Sequence, residues 1–209
     1  MKHTNIRNII TAAFVAAVLA PCAALAQYTV DIDKPKVEDI QSPNNAGNVA
    51  KKSFKPKDWM EIEVKFKIES KDKDKKFADK VTVKWYVAAK NPDKNAKGYI
   101  LLEKEVTHVN VPIGEDVYTS IYLSPNSVMR LTGSDNVSKS DIKNVGGVFL
   151  VDGQKPVDKK KGFFSLEGSK VWWNSGQLSR YDKIPLLNKA ETPFKFLWWD
   201  RFAEIEVER

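Results

Sequence analysis

From residue 60 to residue 69 the chain alternates without exception. Met60, Ile62, Val64, Phe66 and Ile68 are apolar, while Glu61, Glu63, Lys65, Lys67 and Glu69 are charged. Successive side chains of a strand point to opposite faces, so this pattern puts one face in a core and the other in water. A helix would scatter the same residues around its circumference. The next run repeats the pattern, with Val81, Val83, Trp85 and Val87 opposite Thr82, Lys84 and Tyr86. The charged stretch 70–80 between them reads as the long solvated loop of a hairpin. Glu61 and Glu63 read as part of the solvent face, since alternating charge keeps such a face soluble.

Further strands follow at similar spacing. Residues 99–106 are apolar and β-prone, and the phase slips near His108 before resuming at Val109, Val111 and Ile113, as a bulge or bend requires. Val117, Thr119, Ile121 and Leu123 alternate again with Tyr118 and Tyr122 until Pro125 stops the run. Residues 124–131 predict a short helical turn, capped by Ser124 ahead of Pro125 and closed by Gly133. Residues 145–151 predict a strand ending in an Asp152-Gly153 turn. Residues 163–166, 171–173, 194–198 and 202–207 complete the strand set. No long helical pattern interrupts the series, so the expected fold is all-β: an immunoglobulin-like β-sandwich with additional strands and a short helical turn. Its domain runs over 59–209. Residues 27–58 hold a first strand at 28–32 and a Pro-, Asn- and Lys-rich stretch from 34 to 58. That first strand can serve as an edge strand, a flexible arm or a segment that completes a neighbour.

Residues 1–26 read as a cleaved secretory signal. Lys2 and Arg7 precede the apolar run 9–19, and Ala24-Leu25-Ala26 gives the small-x-small cleavage pattern before Gln27. The run is shorter than the roughly 20 residues that cross a membrane as a helix. Pro21 stands where lipid attachment at Cys22 would want a small residue, so Cys22 leaves with the signal and the mature chain has no cysteine. The expected location is periplasmic or secreted, with outer-membrane association open. The 34 basic and 27 acidic residues are interleaved, as in the run 71–76, which weakens any single-sign field. With no reading motif, nucleic acid is not an expected partner.

Catalytic chemistry finds little to use. His108 is the only histidine left after cleavage, and no motif surrounds it, so it reads as a histidine tolerated in a strand. Zinc lacks ligands. Asp72 and Asp74 alternate suitably for calcium, but Lys71, Lys73, Lys75 and Lys76 oppose a cation, and Ser134, Asp135, Asn136 and Asp141 lack the spacing of a known loop. No cofactor is expected. Two carboxylates suffice for glycoside hydrolysis, which residue counting alone does not exclude.

The tryptophans carry more information. Four of the six come as adjacent pairs, Trp172-Trp173 and Trp198-Trp199. In a strand, one of each pair would enter the core while its neighbour faced outward, ready to contact protein, sugar or membrane interface. Loops covering both sheets would be the simpler alternative. Residues 192–202, Thr-Pro-Phe-Lys-Phe-Leu-Trp-Trp-Asp-Arg-Phe, together with Ser124-Pro125 and Leu131-Thr132-Gly133, resemble a group of small exported proteins of verrucomicrobial bacteria. That group includes an immunoglobulin-like protein encoded beside type IV pilus assembly components. The resemblance runs from about residue 36 to the C-terminus and implies a sandwich, no enzyme activity and a role near a pilus or the outer membrane. The expectation is therefore a non-catalytic binding or assembly protein of the cell envelope, with Trp198, Trp199 and Arg201 as the leading contact residues and Trp172 and Trp173 second. Edge strands offer a route to homo-oligomers. A carbohydrate-binding module is the alternative, with a glycan stacked on tryptophan.

Overall fold

The computed structural model describes residues 28–44, 55–93, 95–96, 98–134, 138–157, 162–168 and 171–207. The expected signal with Cys22 and the cut before Gln27, and Asp135 and Asn136 of the second polar cluster, lie outside them.

Two antiparallel-rich sheets face each other. In the first, β1 (Tyr28–Ile32) and β2 (Lys36–Gln41) lie in succession along one edge of β3 (Asp58–Ser70), β6 (Asp116–Leu123) lies along the other, and β10 (Leu187–Asn188) follows β6. In the second the order is β11 (Glu204–Ile205), β5 (Tyr99–Pro112), β4 (Phe77–Lys90), β7 (Ile142–Val151) and β8 (Phe163–Ser165), and β9 (Ser179–Arg180) runs parallel to β5. Met60, Ile62, Val64, Phe66 and Ile68 of β3 are all buried, and they share one core with Val81, Val83, Trp85 and Val87 of β4. Each such side chain contributes about 1.5–3 kcal/mol by leaving water.

β3 and β4 do not form the expected hairpin. They belong to different sheets, and the charged loop crosses from one to the other. Period-two alternation reports a buried face and is silent about which sheet the strand joins. Both edges of β3 are taken, by β1 and β2 and by β6, while β4 pairs along its length with β5, from Phe77 opposite Pro112 to Lys90 opposite Tyr99. Residues 28–32 and 36–41 are likewise strands of the first sheet, so the stretch read as arm and linker contributes two strands and β1 pairs within its own chain.

The helical turn forms as α1 (Pro125–Thr132). Ser124 Oγ accepts the Ser127 N–H at 3.2 Å, and Gly133 ends the helix at φ 75°. Val128 and Leu131 enter the core. The phase change in β5 falls at Asn110, where φ is 51°, so Val106 and His108 keep one phase and Val111 resumes the next. Asp152 and Gly153 both take positive φ in the turn that closes β7. Asp152 also ties three distant pieces together. Its carboxylate accepts the Tyr28 hydroxyl at 2.7 Å, Lys75 Nζ at 3.2 Å and the Lys80 N–H at 3.0 Å.

Residues 171–173 form no strand. Trp173 instead lies flat on Tyr86 on the outer face of the second sheet, with ring centroids 4.8 Å apart and planes 7° apart. That approach requires Gly146, because a Cβ there would stand 2.4 Å from the Trp173 ring. Gly147 makes the same room on the inner face, where Phe164 packs against Trp85 and Phe149.

Candidate binding site

The outer face of the first sheet is covered by the C-terminal segment. The segment leaves β10 through a 3₁₀ turn over Lys189–Glu191, closed by a reciprocal Asn188–Glu191 capping box. After a bend at Thr192, residues 193–198 make consecutive turns, a second 3₁₀ turn spans Trp199–Arg201, and the Ala203 N–H returns to the Tyr118 carbonyl at 3.1 Å. Residues 194–198 are therefore not a strand. Pro193 starts the run, and Trp198 sits at φ 51°, a left-handed conformation that a bulky side chain rarely adopts. The Leu197 N–H bonds to Phe194 O and the Arg201 N–H to Trp198 O, which brings the backbone groups of this run together locally instead of along a ladder.

Phe194 anchors the loop. It is fully buried, stacked on Tyr122 at 5.4 Å and edge-on to Trp59 at 5.5 Å. Around it lies a charged layer. The Tyr122 hydroxyl donates to Glu61 and accepts from Ser120 Oγ at 3.0 Å. Arg201 donates to Glu63 at 2.6 Å while its guanidinium lies 3.9 Å from the Tyr118 ring centroid. Lys189, almost wholly buried, donates to the Leu197 carbonyl and stands 4.5 Å from the centre of the Phe202 ring. Glu61 and Glu63 are thus buried partners of the loop and not a solvent face. Burial pushes both carboxyls above the usual range, against the Tyr122 hydroxyl and Arg201 for Glu61 and against Arg201 for Glu63. Burial likewise raises the Tyr122 phenol and lowers the Lys189 ammonium. Each carboxylate is committed to a donor, and two cations face two acids, so the layer works as a clasp between sheet and loop.

What the loop displays is aromatic. Phe196 is 75% exposed, Trp198 52% and Trp199 55%. Trp198 walls a groove of about 220 Å³ with Glu38, Asp39, Ile40, Glu61, Glu63 and Arg201. Trp199 lines a smaller, mostly apolar recess of about 90 Å³ with Phe202, Ile205 and Val207. Neighbouring indoles thus serve two different recesses. Arg201 is spent partly on holding the loop, through Glu63 and Tyr118. The other pair is elsewhere: Trp173, 7% exposed, and the half-buried Trp172 pack together on the opposite sheet. The structure does not bring the two pairs into one site. Sequence reasoning missed Phe196, Phe194 and the Glu61–Glu63 layer. The available signal was the outward-facing Tyr118, Ser120 and Tyr122 of β6, too aromatic for a wet face.

His108 is buried on β5. Its Nδ1 lies 3.1 Å from the Ala203 carbonyl, and its Nε2 lies 2.8 Å from Thr119 Oγ1. The carbonyl can only accept, so Nδ1 carries the proton and Nε2 accepts from the threonine. Burial lowers its pKa to about 4. The ring therefore joins both sheets and the C-terminal segment as a neutral structural group. Asp72 is likewise spent locally, since its carboxylate accepts the Asp74 N–H at 3.0 Å.

These features define an all-β sandwich with a clasped aromatic loop. A family model matches residues 21–209 of the chain. A crystal structure of a protein from Akkermansia muciniphila, a verrucomicrobe, is 37% identical over 88% of this chain and 95% of its own, with a TM-score of 0.75. The chain belongs to the matched family, and its fold is that of the Akkermansia protein. No curated protein matches it. No helix among the described residues is long and apolar enough to cross a membrane.

Proposed function

We propose that this protein is an exported, non-catalytic binding protein of the cell envelope that captures a protein partner through the 192–202 loop, in the setting of type IV pilus formation or adhesion. The observation that carries this is the exposure of Phe196, Trp198 and Trp199 on a loop whose backbone is anchored by Phe194, Lys189 and Arg201. Aromatic anchors held in advance lose little freedom on binding and dominate interface energetics. The left-handed Trp198 adds support, since such strain collects where a side chain must be presented. A pull-down from cell-envelope extract tests it. Trp199→Ala should lose the proteins that the wild type retains, by tenfold or more, as for a central hot spot, and Trp172→Ala should retain them. Equal capture by wild type and Trp199→Ala would sink the loop as the site.

One observation favours a carbohydrate instead. The Trp198 ring borders a groove lined by four carboxylate side chains, and sugar recognition combines a ring face with hydroxyl acceptors. Tryptophan fluorescence titrated with cell-wall and host glycans decides it: no shift at millimolar sugar removes this reading.

A further inference from the structure

We propose that the exposed edge of β5 between Leu102 and Val106 is a strand-addition slot that receives an extended, uncharged segment of a protein partner. One edge of β5 is paired with β4 throughout. On the other edge β9 covers Ile100 and Leu101, and β11 covers His108 and Val109. The Tyr181 N–H reaches the Leu101 carbonyl at 3.0 Å and the Glu206 N–H reaches the Thr107 carbonyl at 2.8 Å. Alternate residues of a strand present their backbone groups to the same edge, so Glu103 and Glu105 face the same way as Leu101 and Thr107. Among the described residues neither has a backbone partner on that side. Two N–H and two C=O groups are therefore left in line, at strand spacing, between two strands that already use the same edge.

The surroundings say what fits. Beside the gap lies a trench of about 500 Å³, with Lys104, Glu105, Val106 and Thr107 on one wall and Asn188, Ala190 and Glu191 on the other. Ile205 and Val207, the latter 70% exposed, border it too and supply an apolar patch for one inward-pointing side chain. The charges at the rim are already matched: Lys104 pairs with Glu191, Arg180 with Glu103, Lys84 with Glu105 and Lys80 with Glu206. A charged insert would find no free counterion. A folded second copy is disfavoured by the recess, because β9 and β11 lie on the same line as an incoming edge strand and would collide with a longer one. Donors and acceptors in this array are satisfied together only by another extended backbone, which selects a peptide segment over a glycan. The slot stands without the aromatic loop and does not depend on it.

The test uses the 15N-labelled protein and a blocked hexapeptide of alternating threonine and valine. Addition of the peptide should shift the Glu103 and Glu105 amide signals most and slow their hydrogen exchange. Glu105→Pro removes one of the two free N–H groups while leaving the β4 ladder intact, since that N–H faces the open edge. It should bind roughly tenfold more weakly than Glu105→Ala, which loses the same side chain but keeps the donor. Peptide shifts that fall elsewhere in the wild type, or equal binding by the two variants, would overturn the slot. The wild-type amide map needs no substitution, so the idea stays testable even if the proline variant fails to fold.

Discussion

His108 shows how much one side chain can hold. Its ring links β5 to β6 and fixes the carbonyl of Ala203, where the covering segment turns back into the second sheet. A pKa of about 4 in the folded chain lies below the ordinary histidine value of 6.5. The unfolded chain therefore takes up a proton, as pH falls from about 6.5 to about 4, that the folded chain refuses. The stability from this group is complete above the upper value and is lost on the way down, by about 3 kcal/mol at the acid end. Glu61 and Glu63 act in the opposite sense. Their raised pKa values mean that the folded chain holds protons the unfolded chain has released, so their cost at neutral pH eases as the solution is acidified. Urea unfolding at pH 7 and pH 4 of wild type and His108→Gln separates the two effects. The wild type should lead clearly at pH 7, and the gap should narrow by about 3 kcal/mol at pH 4. A gap that stays constant would show that the ring titrates normally.

At the scale of elements, the covering segment is the least strand-like part of the fold and the part most dependent on one residue. Phe194 fills the space between Trp59 and Tyr122. Phe194→Ala should cost about 3–5 kcal/mol by emptying it, and the hydrogen exchange of the 192–203 amides should quicken more than that of β4. Uniform loss across the molecule would mean that the segment and the sandwich melt as one unit. The strands were legible because alternation over residues 60–69 and 81–87 has no other common cause. The covering segment was not. Phe194, Phe196 and Trp198 alternate like a strand, yet one is buried, two are exposed, and the backbone turns back on itself. The pairs Trp172-Trp173 and Trp198-Trp199 look alike in sequence, but among the described residues only the first has a glycine beneath it, Gly146, to let an indole lie flat. Glu61 and Glu63 carried the appearance of a wet face because alternation reports polarity, and polarity is also what a buried ionic clasp needs.

At the scale of the whole molecule, long-range ties close a sandwich that has no disulfide among the described residues. The Asp152 carboxylate is the clearest of them, joining the first strand, the inter-sheet loop and the start of β4. Burial would raise its pKa, but the Lys80 N–H, the Tyr28 hydroxyl and Lys75 together hold it below the usual value. Asp152→Ala should lower stability by about 1 kcal/mol, the usual net worth of hydrogen bonds that are only part-buried. It should also speed exchange in β1 before β3. If β1 exchanges no faster than in wild type, its ladder with β3 alone secures it.

The same tie has a consequence in time. Tyr28 and Asp152 are separated by 124 residues. A ribosome adding about 5–20 residues each second makes the strand first and its latch roughly 6–25 s later. Over that interval β1 has β3 to lean on but no Asp152 to latch it. A tie held so widely across the finished sequence is one that a newborn chain must wait to fasten.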